Sequence, residues 1–111
     1  MSQSKRSPDS KRTNPPRDAK KAPKFLKDWE KLSRSGKHDL NILKEAMMLL
    51  IANDAPLPAE WKDHQLKGDR RDIRECHIKG DLLLTYRIDN EGDDCLITFL
   101  RASTHSDLFK N

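Results

Sequence analysis

Apolar residues recur with helical spacing through the first half of the chain and with alternating spacing through the second. In KFLKDWEKLSRSG, Phe25, Trp29 and Leu32 stand at i, i+4 and i+7, one stripe of a short amphipathic helix that ends near Gly36. In HDLNILKEAMMLLIAND, Asp39 is placed to cap a second helix, and Leu40, Leu43, Met47 and Leu50 form its buried stripe. Ile42, Ala46, Leu49 and Ile51 widen that stripe, and the methionines read as core filler. Pro56 and Pro58 stop the helical pattern, so APLPAEWKDHQLKGD reads as an extended loop that contains His64.

Beyond the loop the period falls to two. In IRECHI, Arg74, Cys76 and Ile78 point one way while Ile73, Glu75 and His77 point the other. In DLLLTYRI, Leu82, Leu84, Tyr86 and Ile88 alternate with Asp81, Leu83, Thr85 and Arg87, and Lys79 and Gly80 supply a tight hairpin turn. If Cys76 and Ile78 share the core face with Leu82 and Leu84, then Glu75, His77 and Asp81 gather on the opposite face. A second turn at NEGDD leads to CLITFLRA, apolar on both faces and therefore a central or covered strand.

Composition narrows the class. The chain of 111 residues is one domain's worth, and no segment approaches the roughly 20 apolar residues needed to cross a bilayer. Its N-terminus lacks the apolar stretch of a secretory signal, so the expected location is the cytoplasm. Cys76 and Cys95 lie within alternating strands and read as reduced, partly buried thiols. The net charge of +4 is uneven: residues 1–24 carry eight Lys or Arg against two Asp, while residues 25–111 carry fourteen against sixteen. The basic segment has almost no apolar side chains to offset its ordering entropy, so residues 1–23 are expected to form a largely disordered tail and 24–111 the folded domain.

Three histidines punctuate the second half: His64, His77 and His105. Imidazoles beside Glu75 and Asp81 suit proton transfer near neutrality. The ligand types also suit zinc, but they are spread over some forty positions without a short ligand spacing, so neither a metal nor any other cofactor is expected. Lys62, Lys67, Arg70, Arg71, Arg74 and Lys79 crowd the same stretch, which points to an anionic partner, RNA first.

Five ordered segments together resemble the YafQ-like messenger-RNA interferases of the RelE/ParE toxin superfamily: KFLKDWEKLSRSGKHDLNILKEAMMLL, PLPAEWKDHQLKG, IRECHIKGDLLLTYRI, the apolar strand ending at Arg101, and STHSDLF. The resemblance covers about residues 24–109. It implies an α+β fold, two N-terminal helices packed on a small antiparallel sheet in the order β-α-α-β-β-β. The first strand of that order would fall near RDAKKAP, which is basic and poor in β-branched residues.

The resemblance also implies a toxin of a type II toxin–antitoxin system that cleaves messenger RNA at the ribosome without a metal. The matching positions are His64, Glu75, His77, Asp81, His105 and Phe109, and position 75 is Glu where some members have Asp. In this reading His105 is the general acid and His77 or Asp81 the base, with Glu75 orienting an imidazole. His64, Arg74 and Arg101 would hold phosphate, and Phe109 would stack on a base. A cognate antitoxin, a DNA-binding dimer in many members, is the implied protein partner. Two other classes share this fold: a ParE-like toxin that binds DNA gyrase, and a silent RNA- or ribosome-binding module.

Overall fold

A computed structural model of the chain describes residues 15–36, 39–53, 57–68, 72–91 and 94–104. Its elements follow in the order β1 (Asp18–Lys21), α1 (Pro23–Ser35), α2 (Leu40–Ala52), a 3₁₀ turn (Ala59–Trp61), β2 (His64–Gln65), β3 (Ile73–Lys79), β4 (Leu82–Glu91) and β5 (Asp94–Thr104). Two helices pack on one five-stranded sheet with strand order β1-β5-β4-β3-β2. This is the expected α+β order with β2 added. The sheet is mixed, because β1 runs parallel to β5 while the remaining pairs are antiparallel.

Local signals set both helices. Pro23 opens α1 at a position whose amide needs no helical partner, and Gly36, at φ 68°, closes it in the left-handed region. The Asp39 carboxylate accepts from the Asn41 amide at 2.9 Å and caps α2, and Asn53, at φ 59°, ends it with its amide donating to the Leu49 carbonyl.

Phe25 and Leu32 from α1 meet Leu43, Ala46, Met47 and Leu50 from α2 over the Cys76, Ile78, Leu82, Leu84, Tyr86, Ile97 and Phe99 face of the sheet. The Phe25 ring sits 6.1 Å from Trp29 and 5.8 Å from Phe99, a tilted stack that ties α1 to β5. One apolar reading needs correcting. Met47 is in the core, but Met48 is 64% exposed and, with Leu26 at 53%, borders a groove between the helices. Met48 falls on the outer side of α2, beyond the arc that faces the sheet.

Strand β1 lies inside the segment whose composition reads as tail. All four of its residues are exposed, so its side chains contribute nothing to the core. Backbone holds it instead: Asp18 to Lys21 pair with Leu96 to Phe99, and the Ala22 amide donates to the Phe99 carbonyl at 2.9 Å. The chain before it is fastened to the end of α2. The Arg17 amide and guanidinium donate to the Ile51 and Leu50 carbonyls at 2.8 and 2.7 Å, and the Asn53 side chain donates to the Pro15 carbonyl at 3.0 Å. A cation at a helix C-terminus also meets the negative end of the helix dipole. Residues 1–14 of the expected tail lie outside the described residues.

Strand β5 sits between β1 and β4, as its two apolar faces require. A register shift between Thr85 and Tyr86 places Thr85 opposite Arg101 but Tyr86 opposite Phe99. The extra residue reverses the alternation of β5, so Phe99 and Ala102 both face the core and Arg101 does not. No helix among the described residues is long and apolar enough to cross a membrane.

Candidate active site

The loop before β3 is more structured than its two prolines suggest. After the 3₁₀ turn buries Trp61, Lys62 takes a left-handed conformation at φ 51° and turns the chain back toward the sheet. Asp63 then fixes it. Its carboxylate accepts from the Arg74 guanidinium at 3.3 and 3.1 Å and from the Tyr86 hydroxyl. Burial works against the Arg74 charge, but its bonds to Asp63 and Tyr86 outweigh that and raise its pKa. Burial, followed by the bond to Asp63, pushes the Tyr86 hydroxyl above its ordinary value. This clamp from the core face holds His64 and Gln65 in register with Glu75 and Arg74 as β2, and the Leu66 amide donates to the Ile73 carbonyl at 2.9 Å.

His64 is therefore placed across from Glu75, on the sheet face away from the helices. Its Nδ1 lies 2.6 Å from the Lys62 carbonyl oxygen. A carbonyl can only accept, so Nδ1 carries the proton and Nε2 faces Glu75, 3.4 Å from Oε1. His77, two positions along β3 on the same face, brings its ring centroid to 6.1 Å from that of His64. One ligand-type atom from each of His64, Glu75 and His77 lies within 4.8 Å of the others. The three differ in exposure: His64 is exposed, His77 half-buried and Glu75 buried.

The remaining expected site residues divide into three groups. Asp81 is exposed in the Gly80–Asp81 turn, one residue later than the sequence reading placed it, and is outside the three-residue cluster. Lys62 and Lys67 are exposed on the approach to His64. Arg70, Arg71, His105 and Phe109 lie outside the described residues.

Arg74 and Arg101, read as phosphate ligands, both hold carboxylates. Arg101 reaches α1, its Nε and Nη2 donating to Asp28 at 2.7 and 3.1 Å, while the Ala102 amide donates to the same carboxylate at 3.0 Å. A signal for this pair was present: Asp28 adjoins Trp29 on the buried Phe25–Leu32 stripe, where a carboxylate needs a cation. No comparable signal marked Asp63, because an aspartate in a polar loop looks solvated.

The arrangement joins a basic approach to two imidazoles and a carboxylate on one sheet face, the makings of a small proton-transfer nuclease. Residues 17–110 match the family described as the bacterial toxin of the type II toxin–antitoxin system, YafQ, and the chain belongs to that family. The mRNA interferase toxin YafQ of Escherichia coli strain K12 is 40% identical over 93 residues, which cover 84% of this chain and 96% of that protein. The E. coli DinJ–YafQ toxin–antitoxin complex contains a chain 39% identical, with a TM-score of 0.72, over 84% of this chain and 98% of that one. A metal-bound toxin from Helicobacter pylori is 39% identical, with a TM-score of 0.72, over 83% of this chain and 98% of that one.

Proposed function

We propose that this type II toxin is a cytoplasmic mRNA interferase that cleaves messenger RNA at the ribosome by attack of the ribose 2′-OH on the adjacent phosphorus. The observation that carries this is the convergence of His64, Glu75 and His77 on one sheet face, in a chain 40% identical to the mRNA interferase toxin YafQ of E. coli. In the proposed reaction His77 accepts the 2′-OH proton as the new O–P bond forms. His105 donates a proton to the departing 5′-oxygen, leaving a 2′,3′-cyclic phosphate and a 5′-hydroxyl. His64, oriented by the Lys62 carbonyl and Glu75, is the cation beside the phosphorane oxygens.

Lys62 and Lys67, with Arg70 and Arg71, draw in the phosphate backbone, and Phe109 stacks on a base. Arg101 has a third of its side chain exposed beyond Asp28 and is a further phosphate contact. Arg74 belongs to the Asp63 clamp. Asp81, away from the cluster, is a contact at the rim. A cognate antitoxin, as DinJ is for the E. coli relative, neutralises the toxin.

The test compares the wild type with His77→Ala/His105→Ala on messenger RNA, with ribosomes, in EDTA, with the cleaved ends mapped. Cleavage by the wild type alone, leaving cyclic phosphate ends, is the expected result. Growth arrest by both proteins without cleavage by either overturns it and favours binding to gyrase.

A further inference from the structure

We infer that Lys24, Lys27 and Lys31 form a ridge on α1 that holds the phosphate backbone of the messenger-RNA strand where it leaves the site, so that the toxin grips its substrate beyond the bond it cuts. The inference rests on the proposed nuclease reading and extends its RNA surface to an element that carries none of the reacting groups.

Charge is the first observation. Residues 1–35 carry eleven Lys or Arg against four Asp or Glu, whereas residues 36–111 carry eleven against fourteen. The positive excess of the chain therefore sits in β1, α1 and the segment ahead of them, while the basic stretch around His64 is interleaved with Asp63, Asp69 and Asp72. A polyanion that extends past the site finds its counter-charge at the first end of the chain.

Geometry is the second. Lys24 and Lys31 stand four residues before and three after Asp28, the positions next to it on a helix surface, and Lys27 falls on the same outer arc; all three are exposed. The Asp28 carboxylate between them accepts from Arg101 Nε and Nη2 at 2.7 and 3.1 Å and from the Ala102 amide at 3.0 Å. Four cations thus gather about one carboxylate that is already bonded. Arg34, further along the arc, pairs with Glu30 at 3.4 Å and is left out of the ridge.

Continuity with the site is the third. Arg101 lies on β5, two strands from β3 and so about 10 Å away in the hydrogen-bonding direction, and a third of its side chain is exposed. An RNA strand that leaves the histidines toward β5 meets Arg101 first and the lysines of α1 next. That path is longer than the screening length of about 8 Å at physiological salt, so the ridge acts on the binding of the strand and leaves the proton transfers at His77 alone.

The full-length chain is titrated by fluorescence anisotropy, over a range of salt, with a trinucleotide and a dodecanucleotide of 2′-O-methyl RNA, which keeps every phosphate but has no free 2′-OH to attack. The expected result is that Lys24→Gln/Lys27→Gln/Lys31→Gln binds the dodecanucleotide at least tenfold more weakly than the wild type. Its slope of log affinity against log salt is shallower by about 2, as three phosphate contacts on a single strand require. Binding of the trinucleotide, which spans the site alone, is unchanged, and arginine at the same three positions restores the dodecanucleotide.

Unchanged binding of the dodecanucleotide, or an equal loss on both lengths, overturns the ridge. So does a glutamine variant that binds both RNAs as the wild type does but loses vacant ribosomes or the antitoxin, which would give the lysines to ribosomal RNA or to an acidic protein. Length-dependent binding that needs the lysines, in a protein that cleaves no messenger RNA with ribosomes, upholds the ridge and removes the nuclease reading.

Discussion

The same strands present two unlike faces. Toward the helices, Cys76, Ile78, Leu82, Leu84 and Tyr86 are at most 4% exposed and join one core; on the other face Glu75 and His77 alternate with them, and β2 sets His64 alongside. The faces are nevertheless joined where Tyr86 and Arg74 reach Asp63 and so set the position of the histidine next to it. Alternation thus separates folding from chemistry residue by residue, while a loop carboxylate links the two.

The sharpest test exchanges damage between the faces. His77→Ala should lower cleavage about 10²- to 10⁴-fold, the range for losing a general acid or base, while changing stability by about 1 kcal/mol or less. Leu84→Ala, one residue type from the other face, should instead cost about 2–5 kcal/mol in urea unfolding, with the folded fraction still cleaving. Equal losses of activity and stability in both variants would erase the distinction between the faces.

Asp28→Ala comes next. It leaves the Ala102 amide and part of the Arg101 guanidinium without their acceptor, at a cost of about 2–3 kcal/mol in urea unfolding. A neutral outcome would mean that solvent replaces the carboxylate at the α1–β5 contact.

Tyr86→Phe probes the link itself. Removing one hydroxyl should cost about 1 kcal/mol of stability and yet reduce cleavage severalfold, because Asp63 loses one of the partners that position His64. A fall in stability without any fall in cleavage would show that Arg74 alone positions the loop.

The smallest expected effect is in alkali. Burial first, then the nearby Asp63 and Glu75 carboxylates, raise the Cys76 thiol from 9.0 to about 12, and Tyr86 is also raised. Both groups are acids that stay protonated in the fold after they ionise in the unfolded chain. Their contribution is therefore complete below about pH 9 and declines as pH rises toward 12. Melting temperature should fall across that window, and Cys76 should resist thiol reagents at pH 8. Rapid modification of Cys76 in the folded protein would contradict its burial.

What the sequence made legible was whatever a repeat can encode. The Phe25 stripe, the Asp39 cap, and the Cys76–Ile78 and Glu75–His77 faces all follow from periods of 3.6 and 2. The β5 bulge escaped, because one extra residue reverses alternation and no residue type announces it; the face of Arg101 depended on it. The grouping of His64 with Glu75 came from the family resemblance and not from spacing, since it depends on the left-handed Lys62 and the Asp63 clamp. The bond from Arg74 to Asp63 was not legible either, because Arg74 was read for its charge alone.

Strand β1 has a different kind of consequence. Because its four side chains all face solvent and only its amides and carbonyls are used, a substitution there other than proline has little to disturb. Such a strand can drift through almost any composition while the sheet keeps its shape. Its charged residues, Asp18, Lys20 and Lys21, also make that edge a poor template for a foreign strand, and the opposite edge is only two residues long. Both edges of the sheet thus guard the chain against pairing with copies of itself.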